Sequence, residues 1–238
     1  MNPYQVDTSE ENIHRPLVAL DVLYKGMPAT TGCEKCHEVN GDDAIWCCRE
    51  INPSMYYAEF LRIWTEVQKW NKERKAKLFV RAIKNYLDTG QSKGCIFWDE
   101  ECLVYKNRPF SCRMYGVIPQ DSWDSRIKSI KDREEEFEYR PQCDMVSVVG
   151  VDDITSAQED KWFNHTKDCE KRIGVPDSII KLHDIPGGSY RTFHDHLLLE
   201  VLAVEAMNAL TKVKMSKPSK EDIECFASIL VEKLGHKL

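Results

Sequence analysis

Eight of the ten cysteines in this chain fall between Cys33 and Cys143, in two ordered groups. The first is Cys33-Glu-Lys-Cys36 followed by the adjacent pair Cys47-Cys48. The second runs from Cys95 through Cys102 to Cys112-Arg113, with Cys143 trailing. A Cys-x-x-Cys turn puts two sulfurs on one side of the backbone, near enough to share one ion. Thiolate is a soft ligand and selects zinc, copper(I) or iron–sulfur over magnesium or calcium. Two thiolates are half of a tetrahedral site, so the remaining ligands must come from elsewhere in the chain. Cys47, Cys48, Cys95, Cys102 and Cys112 are the candidates. An extended backbone does not send both members of the Cys47-Cys48 pair to one point, so each serves a different site or one is a bystander. Eight thiolates match two four-ligand sites, or one cluster with spare thiols.

The string Cys95-x6-Cys102-x-x-Tyr105-x-x-Arg108-Pro109-x-x-Cys112-Arg113 closely resembles the signature of the YkgJ-type cysteine-cluster family, described as a zinc- or iron-chelating domain. That family opens with a Cys-x-x-Cys-x-x-Cys-Cys run. Cys33, Cys36, Cys47 and Cys48 are similar to it, with the ten residues His37 to Trp46 standing where the family has two. Cys143 resembles in placement a further cysteine of the family. The resemblance covers about Cys33 to Cys143 and implies metal binding, with a [4Fe-4S] cluster plausible and Zn2+ as the alternative. The flagellin lysine methylases are similar proteins that carry such a domain and are linked to a [4Fe-4S] cluster. Nothing in residues 150–238 extends that activity to this chain. Arg108 and Arg113 would offset the charge that gathered thiolates build up, and could donate hydrogen bonds to sulfur, which tunes a cluster's potential. Tyr105 and Phe97 would shield the site from water. The alternative is that Tyr105 is a core aromatic and the arginines make surface ion pairs.

Other motifs carry less. Cys169 and Cys225 have no spaced partners and read as buried apolar residues. His37 could replace a thiolate. His194-Asp195-His196 has the look of a metal motif, but alternate positions on a helix diverge by about 200°, so a capping or core role fits better. Pro186-Gly187-Gly188-Ser189 is a turn, since no phosphate-loop pattern follows it. Neither a Gly-x-Gly-x-x-Gly fingerprint nor a Gly-x-Ser-x-Gly elbow occurs, which leaves nucleotide and serine-hydrolase readings without support.

The elements that must position the cysteines follow from apolar spacing. Residues 1–30 read as an extended lead-in with prolines and a strand-like run Leu17 to Leu23, and residues 33–51 as a ligand-wrapping loop. Pro53-Ser54 offers a helix start. Apolar residues at helical spacing from Phe60 to Leu87 predict one long helix or two broken near Asn71, with Gly90 as the stop. Gly94 to Tyr105 predicts a hairpin, which Arg108-Pro109 ends. Helical patterns cover Asp121 to Tyr139 and Asp153 to Gly174, and Met145 to Val151 has strand propensity. Tyr190 to Val213 reads as one apolar helix, and Ser219 to Leu234 as another, capped by Ser219 and Asp222.

The length allows one large domain or two small ones, and a core that needs no disulfides for basic stability. A net charge of −6 argues against a nucleic-acid surface. The basic stretch Lys69 to Lys84 is interrupted by acidic and apolar residues and reads as the solvated face of a helix. The acidic N-terminal residues lack the features of a secretory signal, and no apolar run reaches membrane-spanning length. A cytoplasmic location is therefore expected, where a thiol grouping favours metal or redox chemistry over disulfides.

The expected fold is mainly α, helices around a small irregular cysteine-rich metal core with a short β-hairpin. Residues 1–151 would form the metal-binding part. Residues 152–238 would form a helical region of the same or a second domain. Three functions compete: an iron–sulfur protein acting in electron transfer or in support of a partner protein, a structural zinc interaction module, and a protein-modifying enzyme similar to the methylases.

Overall fold

A computed structural model describes residues 4, 6–32, 46–50, 52–88, 94–131, 143, 146–150, 153–181 and 191–234. The described chain is mainly helical. Helix α1 spans Glu10–Gly26, α2 Trp46–Glu50, α3 Tyr57–Val67 and α4 Lys72–Leu87. Helices α5 (Phe110–Met114) and α6 (Gln120–Lys131) follow a short hairpin, then come α7 (Ser156–Ile173) and α8 (Asp177–Ile180). Helices α9 (Phe193–Val201), α10 (Val204–Met215) and α11 (Lys220–Leu234) complete the series.

Helices α3 and α4 form the centre because their apolar stripes are the widest. On α3, Tyr57, Ala58, Phe60, Leu61, Ile63 and Val67 are buried; on α4, Leu78, Phe79, Ala82, Ile83 and Leu87 are. Helices α1 and α7 pack together and on α3, while α9, α10 and α11 pack on α4. Phe193 of α9 joins the halves, its ring 5.1 Å from Phe60 and 4.4 Å from Phe97. One apolar core therefore draws on residues from Tyr4 to Leu234.

The expected break near Asn71 is present. Residues 68–71 separate α3 from α4, and the Asn71 side-chain oxygen accepts the Arg74 N–H at 2.9 Å, satisfying a free donor of the first turn. Thr155 and Gln158 cap α7 reciprocally, and Gly174 ends it with φ 93°, a left-handed conformation cheap only for glycine. Ser219 and Asp222 cap α11 as anticipated. The hairpin pairs β2 (Trp98–Asp99) with β3 (Glu101–Cys102), and Glu100 turns between them at φ 61°. A second small antiparallel pair joins β1 (Thr30–Thr31) to β4 (Ser147–Val148), which lies within the segment given strand propensity.

Four local expectations are corrected. Leu17 to Leu23 is helix, not strand: Leu20 and Tyr24 are buried on one face of α1, and Ile13 and Leu17 pack beside them. Pro16 is tolerated inside α1 because its cost of about 3 kcal/mol is offset by that burial. Residues 46–50, expected in a loop, form α2. Helix α3 starts at Tyr57, because Ser54 instead bridges to Thr192 and its carbonyl accepts the Ser111 hydroxyl at 2.8 Å. The apolar run after residue 190 is two helices: Leu202, buried and extended at ψ 140°, turns the chain between α9 and α10. No glycine or proline marks that break; packing makes it. The proposed turn at 186–189, the stops at Gly90 and Gly235, and residues 132–139 lie outside the described residues.

Candidate thiol centre

Three separate segments bring five of the predicted cysteines together. Cys47 and Cys48 sit on α2, Cys95 precedes the hairpin and Cys102 lies in its second strand, and Cys112 lies on α5. The segments are tied by backbone contact, the Cys95 N–H donating to the Cys48 carbonyl at 2.7 Å. Gly94 makes that approach possible, since a Cβ there would fall 2.4 Å from the Arg49 carbonyl oxygen. Asn85 of α4 donates to the Gly94 carbonyl at 3.0 Å. Arg81 of α4 donates to the Trp98 carbonyl at 3.0 Å and to Asp99 at 2.6 Å, clamping the hairpin.

The five thiols feel one another's charge. Cys48 and Cys47 share a side-chain hydrogen bond, which lowers the Cys47 thiol to about 7 and pushes Cys48 up. Desolvation first, then the charges of Cys102 and Cys47, push Cys95 up to about 12. Desolvation likewise raises Cys102, and lifts Cys112 well above its ordinary value, with Cys95 and Cys102 adding to the Cys112 shift. Other neighbours favour thiolate at the same atoms. Nearby backbone N–H groups, those of Phe97 and Trp98 for Cys95 and that of Val104 for Cys102, lower these thiols in part, while the Trp98 N–H itself donates to the Cys95 carbonyl at 3.0 Å. The Arg108 guanidinium lowers Cys47, Cys102 and Cys112. Without a cation, burial keeps most of these thiols protonated; a soft cation would invert that balance.

Arg108 lies near enough to three thiols for its charge to act on them, and its Nε donates to the Tyr105 carbonyl at 3.2 Å. Its guanidinium also lies 3.8 Å over the ring of Tyr105, which is 49% exposed and so is not a core aromatic, while Phe97 is buried against Trp70 and Phe193. Arg113 stacks 4.4 Å over Tyr24 and donates to the carbonyls of Arg108 at 2.9 Å and Lys106 at 2.7 Å. It braces the segment that carries Cys112. Cys143 lies against Gly116, in the turn after α5. Cys33, Cys36 and His37 lie outside the described residues. Among the described residues no three His, Cys, Asp or Glu side chains are set to hold a metal ion as they stand.

The remaining candidates separate. Cys169 is buried, as expected, whereas Cys225 is exposed on α11, because the opposite face, with Ile223, Ala227 and Val231, turns inward. His194-Asp195-His196 begins α9: Asp195 accepts the Thr192 N–H at 3.0 Å as a cap, and His196 Nε2 lies 3.2 Å from the Met55 carbonyl oxygen. The stretch Lys69 to Lys84 is not wholly a solvated face, since Arg81 is spent on the hairpin and Lys84 pairs with Glu224. Sequence reasoning passed over Arg81 and Asn85, and took Gly94 only as the start of the hairpin.

Comparison with known proteins finds no matching family model, no matching curated protein and no matching solved structure. No described helix is long and apolar enough to cross a membrane.

Proposed function

We propose that the chain is a cysteine-ligated metal protein of the YkgJ type, holding one or two [4Fe-4S] clusters and acting in electron transfer or in support of a partner protein in the cytoplasm. The observation that carries this reading is that five thiols from α2, the hairpin and α5 lie near enough to shift one another's protonation. Hydrogen bonds to sulfur stabilise thiolate charge and set the potential of a cluster. Cys33 and Cys36 are the natural complement, because a Cys-x-x-Cys turn supplies two ligands at once. When bound, the cluster would supply one-electron redox chemistry. The chain's own part is to desolvate the sulfurs with Phe97, to offset their charge with Arg108, and to hold the hairpin with Arg81.

Anaerobic purification tests this directly. A brown protein containing iron and acid-labile sulfide is the expected result. A colourless protein with stoichiometric zinc would replace the redox reading by a structural module, and metal-free protein with every thiol titratable would end both. Cys112→Ala should lose most of the metal and Cys225→Ala none; equal retention in both would remove Cys112 from the ligand set.

A further inference from the structure

Glu59 is 2% exposed, on the first turn of α3, and a buried carboxylate is costly unless its lone pairs are filled. Three donors fill them. The Tyr56 N–H reaches Oε2 at 2.9 Å, while the Tyr24 hydroxyl of α1 and the Phe110 N–H both donate to Oε1. Phe110 opens α5, the helix of Cys112, and follows Pro109, which has no N–H of its own to be held. The guanidinium groups of Arg62, at 5.0 Å, and Arg113, at 4.4 Å, both lie over the Tyr24 ring. Arg113 in turn holds the carbonyls of Lys106 and Arg108. One buried carboxylate therefore links α1 and α3 to the whole segment 105–113.

We propose that Glu59 is a positioning residue for the thiol centre. It holds the start of α5 against the core, and so fixes where Cys112 and Arg108 meet the thiols of α2 and the hairpin. The inference rests on reading the thiols as a soft-metal centre. Outer-shell partners that orient ligands typically contribute about 10- to 100-fold to metal affinity, and Glu59 acts one step further out, through the backbone that carries the ligand.

Glu170 provides a matched control. It is equally buried, and its carboxylate accepts the Ala58 N–H at the same end of α3, from α7 rather than from the cysteine segment. The experiment titrates the reduced, metal-free full chain with Cd2+ against a competing chelator and reads the thiolate–cadmium absorption of the first equivalent. Glu59→Gln should bind Cd2+ about 10-fold or more weakly, and Glu170→Gln should match wild type even if its melting temperature falls as far. Equal Cd2+ affinity in the two variants overturns the proposal. If Glu59→Gln does not fold, Tyr24→Phe, which removes one hydroxyl from the same carboxylate, should weaken binding about fivefold; wild-type affinity there overturns it as well. Wild type that takes up no Cd2+ would instead refute the thiol centre itself, and this inference with it.

Discussion

Glu170 carries a pH dependence that can be derived from its surroundings. Burial raises its carboxyl to about 8, partly opposed by the Ala58 N–H and reinforced by the charge of Glu59. Glu59 is itself raised, first by burial. A carboxyl with a folded pKa above its unfolded one binds more protons in the native state between the two values. Stability from Glu170 is therefore complete below about 4.5 and is lost as pH rises toward about 8, at no more than about 1.4 kcal/mol per pH unit for one proton. Denaturant midpoints of the metal-free chain should fall from pH 5 to pH 8, and Glu170→Gln should flatten part of that slope. Parallel slopes in the two proteins would show that Glu170 does not titrate in this range. Neither glutamate could be identified from sequence. Each lies in an ordinary helical pattern, and only the helices packed around it make its carboxyl buried.

At the scale of elements, the approach of the hairpin to α2 depends on Gly94. Its φ is 27°, and a methyl group would press on the Arg49 carbonyl. Gly94→Ala should cost about 1–3 kcal/mol and displace Cys95 from Cys48, so that metal content falls along with the urea midpoint. A variant with parental stability and metal content would mean that the hairpin accommodates the shift. Elements with local signals were legible: the cap of α11, the hairpin and, as one of two alternatives, the Asn71 break all depend on residues within one turn of each other. Helix α1 and the α9–α10 break were not. A dense apolar run such as Leu17 to Leu23 has no unique period, and the turn at Leu202 contains no breaker residue.

For the whole molecule, the thiols come from segments far apart in the chain, so a metal bound to them would cross-link α2, the hairpin and α5. A ligand that binds only the native state stabilises it by about 2.7 kcal/mol at a hundredfold excess over its Kd. Thermal unfolding of the reduced chain should shift upward with Cd2+ in wild type and much less in Cys112→Ala. An equal shift in both would show that cadmium acts away from this centre. By itself the sequence determined the thiol spacing, the mainly helical class and the helix ends that carry their own caps, because those signals act over a few residues. Only the tertiary structure decided that Cys47, Cys48, Cys95, Cys102 and Cys112 share one neighbourhood, that the charge of Arg108 acts on three of them, and that buried Glu59 accepts the Phe110 N–H at the start of the helix carrying Cys112. The physical reason is desolvation: what a thiol or carboxyl does depends on neighbours brought from distant parts of the chain.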